Sequence, residues 1–85
     1  MELPDDLYEE IKLLNRYKLD NISEGLKIHH NAEDKTVAAA QRLNEKELTT
    51  LEDGGYLTQL GIQAAEHAQK LISILQSAPH VKTSS

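Results

Sequence analysis

Residues 34–61 read D-K-T-V-A-A-A-Q-R-L-N-E-K-E-L-T-T-L-E-D-G-G-Y-L-T-Q-L-G, from Asp34 to Gly61. This stretch predicts a helix, a tight β-hairpin and the start of a second helix. Asp34 is placed to cap the first helix, which is expected over Lys35 to about Glu47. Val37, Ala40 and Leu43/Asn44 form its inner face; Lys35, Ala38, Gln41, Arg42 and Glu45 form its outer face. Asp53-Gly54 is the turn signal, because a two-residue type I′ turn needs positive φ at both central positions. Leu51 is then expected to face Tyr56 across the ladder, and Thr50 to face Leu57. Thr58 is placed to cap the following helix.

Working outward, a first helix is expected from about Pro4 to Lys18. Proline suits a first turn, and Asp5, Asp6, Glu9 and Glu10 suit the positive end of the helix dipole. Its apolar stripe is Leu7, Ile11, Leu14 and Lys18, widened by Leu13 and Tyr17. A second helix is expected from Ile22 to His30, capped by Asn21 with Glu24 completing a capping-box pattern. Gly25 inside it would let another helix approach closely. Residues 30–33 then form the turn into the helix that follows Asp34. The fourth helix is expected to run from Thr58 to about Ser77, roughly 30 Å at 1.5 Å per residue. Its stripe is Gly61, Ala64/Ala65, Ala68, Leu71/Ile72 and Leu75. Residues 78–85 read as a frayed tail. The expected architecture is mainly α with one short hairpin, as a single domain over residues 1–77.

Ser23 to Gly61 resembles the winged helix-turn-helix of bacterial transcriptional regulators. In that superfamily the helix-turn-helix ends in a phrase like R-L-x-x-x-G-L, and the wing closes with L-T-x-L-G. Here they read Arg42-Leu43-Asn44-Glu45-Lys46-Glu47-Leu48 and Leu57-Thr58-Gln59-Leu60-Gly61. The first departs at Glu47, where glycine usually ends the helix in left-handed geometry. Either Glu47 takes an unfavourable φ or the helix ends differently. More narrowly, E-G-L-K-I-H at 24–29, A-A-Q-R-L at 39–43, D-G-G-Y-L-T-Q-L-G at 53–61 and A-A-E-H-A-Q at 64–69 resemble a family of small bacterial proteins. Its members are often labelled, on fold alone, as DNA-binding proteins or regulators. The resemblance implies helix 1, helix 2, helix 3, a hairpin wing and a long helix 4.

Composition limits the chemistry. Eighty-five residues make one small domain with little room for a deep catalytic cavity. There is no cysteine, which excludes disulfides, thiolate metal sites and cysteine nucleophiles. No apolar run approaches a membrane span. The acidic start has no basic n-region or apolar h-region, so no secretory signal and a cytoplasmic location are expected. The net charge is −5 and is unevenly spread. Residues 1–15 set five carboxylates against Lys12, whereas residues 16–46 carry six Lys/Arg against five Asp/Glu. Only that middle part is not acidic.

Two functional readings follow. In the first, helix 3 meets duplex DNA with Lys35, Thr36, Ala38, Ala39, Gln41 and Arg42. Gln reads adenine and Arg reads guanine by bidentate hydrogen bonds, while Lys18, Lys27 and Lys46 meet phosphates. In the second, the same scaffold is a protein-interaction module, which tolerates Glu33, Asp34, Glu45 and Glu47 beside helix 3 and Glu52-Asp53 at the wing tip. Leu71-Ile72-Ser73-Ile74-Leu75 puts apolar residues on more than one face of helix 4, and a homodimer along that helix would bury them. His29, His30 and His67 lack ligand spacing. Neither a nucleophile–base pair nor a phosphate-cradling glycine loop is present. No metal, no cofactor and no enzymatic activity are expected.

Overall fold

The computed structural model describes residues 2–77. The order is α1 (Asp5–Leu14), β1 (Leu26–Lys27), α2 (Asp34–Glu45), β2 (Thr49–Leu51), β3 (Gly54–Leu57) and α3 (Gln59–Ser77). The fold is mainly helical, with three helices and a three-stranded antiparallel sheet in the order β1-β3-β2. The core is Leu13 and Leu14 of α1, Ile28 after β1, Ala39, Ala40 and Leu43 of α2, and Ala65 of α3. Ala39 and Ala65 are completely buried. Such small side chains let helix backbones approach closely.

The expected four helices are three. Residues 22–30 hold turns and β1 in place of a helix. Asn21 caps no helix; its side chain accepts a hydrogen bond from Ser23 Oγ at 2.7 Å, and its carbonyl closes a turn onto Glu24 N. Leu26 and Lys27 pair with Gly55 and Gly54 of β3, and Ile28 N donates to Asp53 O at 2.8 Å. A nine-residue helix containing glycine is marginal alone, and the free edge of β3 offers its backbone a better set of partners. Gly25 does permit a close approach, but to a strand: a Cβ there would lie 2.9 Å from Gly55 O.

The hairpin forms with a different register. Its turn residues are Glu52 and Asp53, Leu51 stands opposite Gly54, and Thr49 opposite Leu57. Gly55 and Tyr56 therefore face the single residue Thr50, a β-bulge. Thr50 Oγ1 accepts from Tyr56 N at 2.9 Å across it. Gly54 and Gly55 have φ of +118° and +77°, so positive φ falls just after the turn rather than inside it. A Cβ on Gly54 would also meet Leu26 O at 2.2 Å, which ties this glycine to the docking of β1.

Helix ends complete the frame. α1 stops at Leu14, earlier than Lys18, and Tyr17 then turns into the core. Glu33, not Asp34, is the N-cap of α2, with no side-chain cap bond. At the other end, Glu47 takes φ +64°. Leu48 N reaches Leu43 O at 2.9 Å and Glu47 N reaches Asn44 O at 2.9 Å, the paired bonds of a Schellman end. Thr58 caps α3 as expected, accepting from Gly61 N at 3.0 Å. Its hydroxyl also donates to Glu47 O at 2.7 Å, which joins the end of α2 to the start of α3. The expected tail at 78–85 lies outside the described residues.

Candidate functional site

The residues expected to read DNA do not share one accessible face. Ala39 is fully buried in the core and reaches no ligand. Thr36 and Ala38 are half-buried. Arg42 turns toward α1, where its Nε donates to a Glu10 carboxylate oxygen at 2.8 Å and its Nη2 to the Asp6 carbonyl at 3.2 Å. Lys46, one turn later, binds the other Glu10 oxygen. Glu10 itself is 4% exposed, so a buried carboxylate clamps both cations. Burial alone would push its carboxyl up; the hydrogen bonds and charges of Lys46 and Arg42 outweigh that and hold it below its ordinary range.

The remaining cations are also paired. Lys35 lies 3.9 Å from Glu9, Lys18 3.6 Å from Glu24, and Lys27 2.6 Å from Asp53. The Lys27 hydrogen bond is the largest influence on Asp53 and lowers its carboxyl. Of the nine expected positions, Gln41 alone is both exposed and without a carboxylate partner among the described residues.

Gln41 opens onto a groove of about 510 Å³. The segment Lys27–His30 forms one wall, Val37 and Gln41 of α2 the floor, and Leu51–Asp53 of the hairpin the other wall. Its apolar residues are Val37 and Ala40 of α2, Ile28 on one wall and Leu51 on the other; Lys27, His29, His30, Gln41, Glu52 and Asp53 are polar. Leu51 is 55% exposed. His29 and His30 stand exposed on the rim. Among the described residues no three of His, Cys, Asp or Glu are grouped to hold a metal. The groove thus offers a small apolar strip among a larger number of polar and charged side chains.

Sequence reasoning missed Glu10, Glu9 and Asp53 as partners of the cations. A signal for Glu10 is present: Glu10, Leu13, Leu14 and Tyr17 fall at i, i+3, i+4 and i+7, which places the carboxylate on the buried stripe of α1. Arg42 and Lys46, four apart, share one side of α2. No described helix is long and apolar enough to cross a membrane.

No curated protein and no solved structure matches the chain. One family model, described as a family of unknown function (DUF5669), matches residues 1–76. The chain belongs to that family.

Proposed function

We propose that this chain is a protein-interaction module on a winged-helix-like scaffold, whose groove between α2 and the hairpin takes an apolar segment of a partner protein. The observation that carries the reading is the pairing of all five expected DNA-contacting cations on helix 3 and its flanks with carboxylates. A phosphate contact by any of them competes with a carboxylate already beside it, on a chain of net charge −5. The hairpin that directly follows α2, with a third strand on its β3 edge, supports the winged likeness. The missing helix before α2 departs from it. The strip of Ile28, Val37, Ala40 and Leu51 gives an apolar anchor a place, and the polar residues around it suit the polar groups of a peptide.

The test places a photo-crosslinking residue at Gln41 in the full chain and compares it with the same chain carrying Leu51→Glu. A discrete protein adduct in cells that Leu51→Glu abolishes is the expected result. A titration of labelled duplex at about 50 mM salt runs beside it. Salt-sensitive duplex binding tighter than about 10⁻⁵ M, weakened by Lys27→Ala and Lys35→Ala, would overturn the reading in favour of DNA.

A further inference from the structure

α3 carries two distinct stripes. One faces the core through Gly61, Ala65 and Ala68, with Ala64, which also packs against the core, at its edge. The other runs through Leu60, Ala64, His67, Leu71 and Ile74, with successive spacings of four, three, four and three residues. That spacing averages 3.5, the repeat of a helix seam that packs on another helix. Leu60, Leu71 and Ile74 on this second stripe are 55%, 55% and 53% exposed, and Leu75 beside them 67%. His67 is exposed and Ala64 half-buried.

We infer that this second stripe of α3 is a self-association seam, which packs antiparallel against α3 of a second copy of the chain about a two-fold axis at His67. The seam is self-complementary about that residue. Leu60 and Ile74 lie seven residues to either side of it, and Ala64 and Leu71 three and four. In the antiparallel pair Leu60 of one copy meets Ile74 of the other, and the small Ala64 makes room for Leu71. An isologous contact of this kind closes as a dimer.

Charge selects the same partner and direction. Residues 71–77 carry no charged side chain, in a chain that is 27% charged, so a second copy brings no unpaired charge to that end. A parallel pair would set Lys70 against the apolar Leu75 of the other copy; the antiparallel pair sets it beside the polar Gln63. From Leu60 to Ile74 the seam is about 21 Å long. A contact of that length buries roughly 1,000 Å² in total, the lower edge of specific interfaces, so the expected Kd is on the order of 10⁻⁵ M. This face is separate from the groove and its dimerisation does not depend on the groove's partner.

Sedimentation of the full chain over concentrations from about 10⁻⁶ to 10⁻³ M tests the inference. A monomer–dimer equilibrium is expected. Leu71→Glu and Ile74→Glu should each weaken it on the order of 100-fold by burying an unpaired charge. Both positions are more than half exposed in the single chain, so the variants should keep the parent's melting temperature when measured dilute. The absence of native cysteine allows the direction to be read by disulfide trapping. A mixture of Gln63→Cys and Lys70→Cys chains should form the mixed crosslink, and a mixture of Lys70→Cys and Leu75→Cys chains should not. A monomer at about 10⁻³ M, or a dimer indifferent to both glutamates, would overturn the seam. A Lys70→Cys chain that crosslinks with Leu75→Cys as readily as with Gln63→Cys would overturn the antiparallel pairing.

Discussion

Glu47 holds φ +64° at the position where α2 gives way to the hairpin. Left-handed geometry costs a residue with a Cβ roughly 1–2 kcal/mol, yet the bonds Leu48 N to Leu43 O and Glu47 N to Asn44 O need it. Glu47→Gly should therefore stabilise the fold by about 0.5–1 kcal/mol, part of the relief being lost to the freer unfolded chain. Thermal melting should rise by about 3 °C or more; no rise would mean that the Glu47 side chain contributes something its exposed position does not suggest. Tyr17 poses the opposite case. It is 6% exposed, and its hydroxyl has no hydrogen-bond partner among the described residues. Burial pushes its phenol above the ordinary value of 10. A raised pKa contributes stability that is complete below the unfolded value and is lost as pH rises through the folded one. Tyr17→Phe should be neutral or stabilising by up to about 1 kcal/mol at pH 7. Urea titrations of the parent should show stability falling above pH 10, and Tyr17→Phe should remove part of that loss.

At the scale of elements, α1 and α2 are held by more than apolar contact. Glu10 of α1 receives Arg42 and Lys46 of α2, and Arg42 also reaches the Asp6 carbonyl. Removing the carboxylate leaves two cations facing an apolar seam. Both retain some water, Arg42 at 26% and Lys46 at 46% side-chain exposure, so the cost falls below that of a fully buried pair. Glu10→Gln should lower stability at pH 7 by about 2 kcal/mol. The Glu10 carboxyl lies below its ordinary value near 4.5. Its contribution is therefore present above the unfolded value and is lost as pH falls through the lower folded one. The parent should lose stability steeply below pH 4.5, and Glu10→Gln should lose less; equal slopes in acid melts would remove Glu10 from the account. The same pair explains what was legible in the sequence. The presence of α2, a hairpin and the Thr58 cap is set by neighbours a few residues apart and could be read, whereas the hairpin's register and bulge could not. β1 forms through pairing with a strand nearly thirty residues later, and Arg42 meets a carboxylate 32 positions earlier. A local window sees good helix signals at 22–30 and free cations on α2, because the competing partners lie outside it.

For the whole molecule, the question is whether charge or shape decides between a protein segment and a duplex as partner. Three to five free phosphate contacts would give a salt slope of about −3 to −4 in log K against log salt. Arg42 and Lys46 are both held by the buried Glu10 of α1, Arg42 at 26% and Lys46 at 46% side-chain exposure. Lys27 and Lys35 differ: both are well exposed, and each is held by one carboxylate, Asp53 or Glu9. Lys27 lies on the wall of the groove beside Gln41. The double variant Glu9→Gln with Asp53→Asn removes both partners and two negative charges. Surface pairs of this kind contribute about 1 kcal/mol or less, so the variant should stay folded, which melting would check. If the groove is built for a protein segment, freeing two lysines should not create a duplex site. Retention of labelled duplex at about 50 mM salt should stay absent up to about 10⁻⁵ M in the parent and in the double variant alike. Binding that appears in the variant alone, with a slope near −2, would mean a duplex-shaped surface masked by its own carboxylates. In that case charge, not shape, decides the partner.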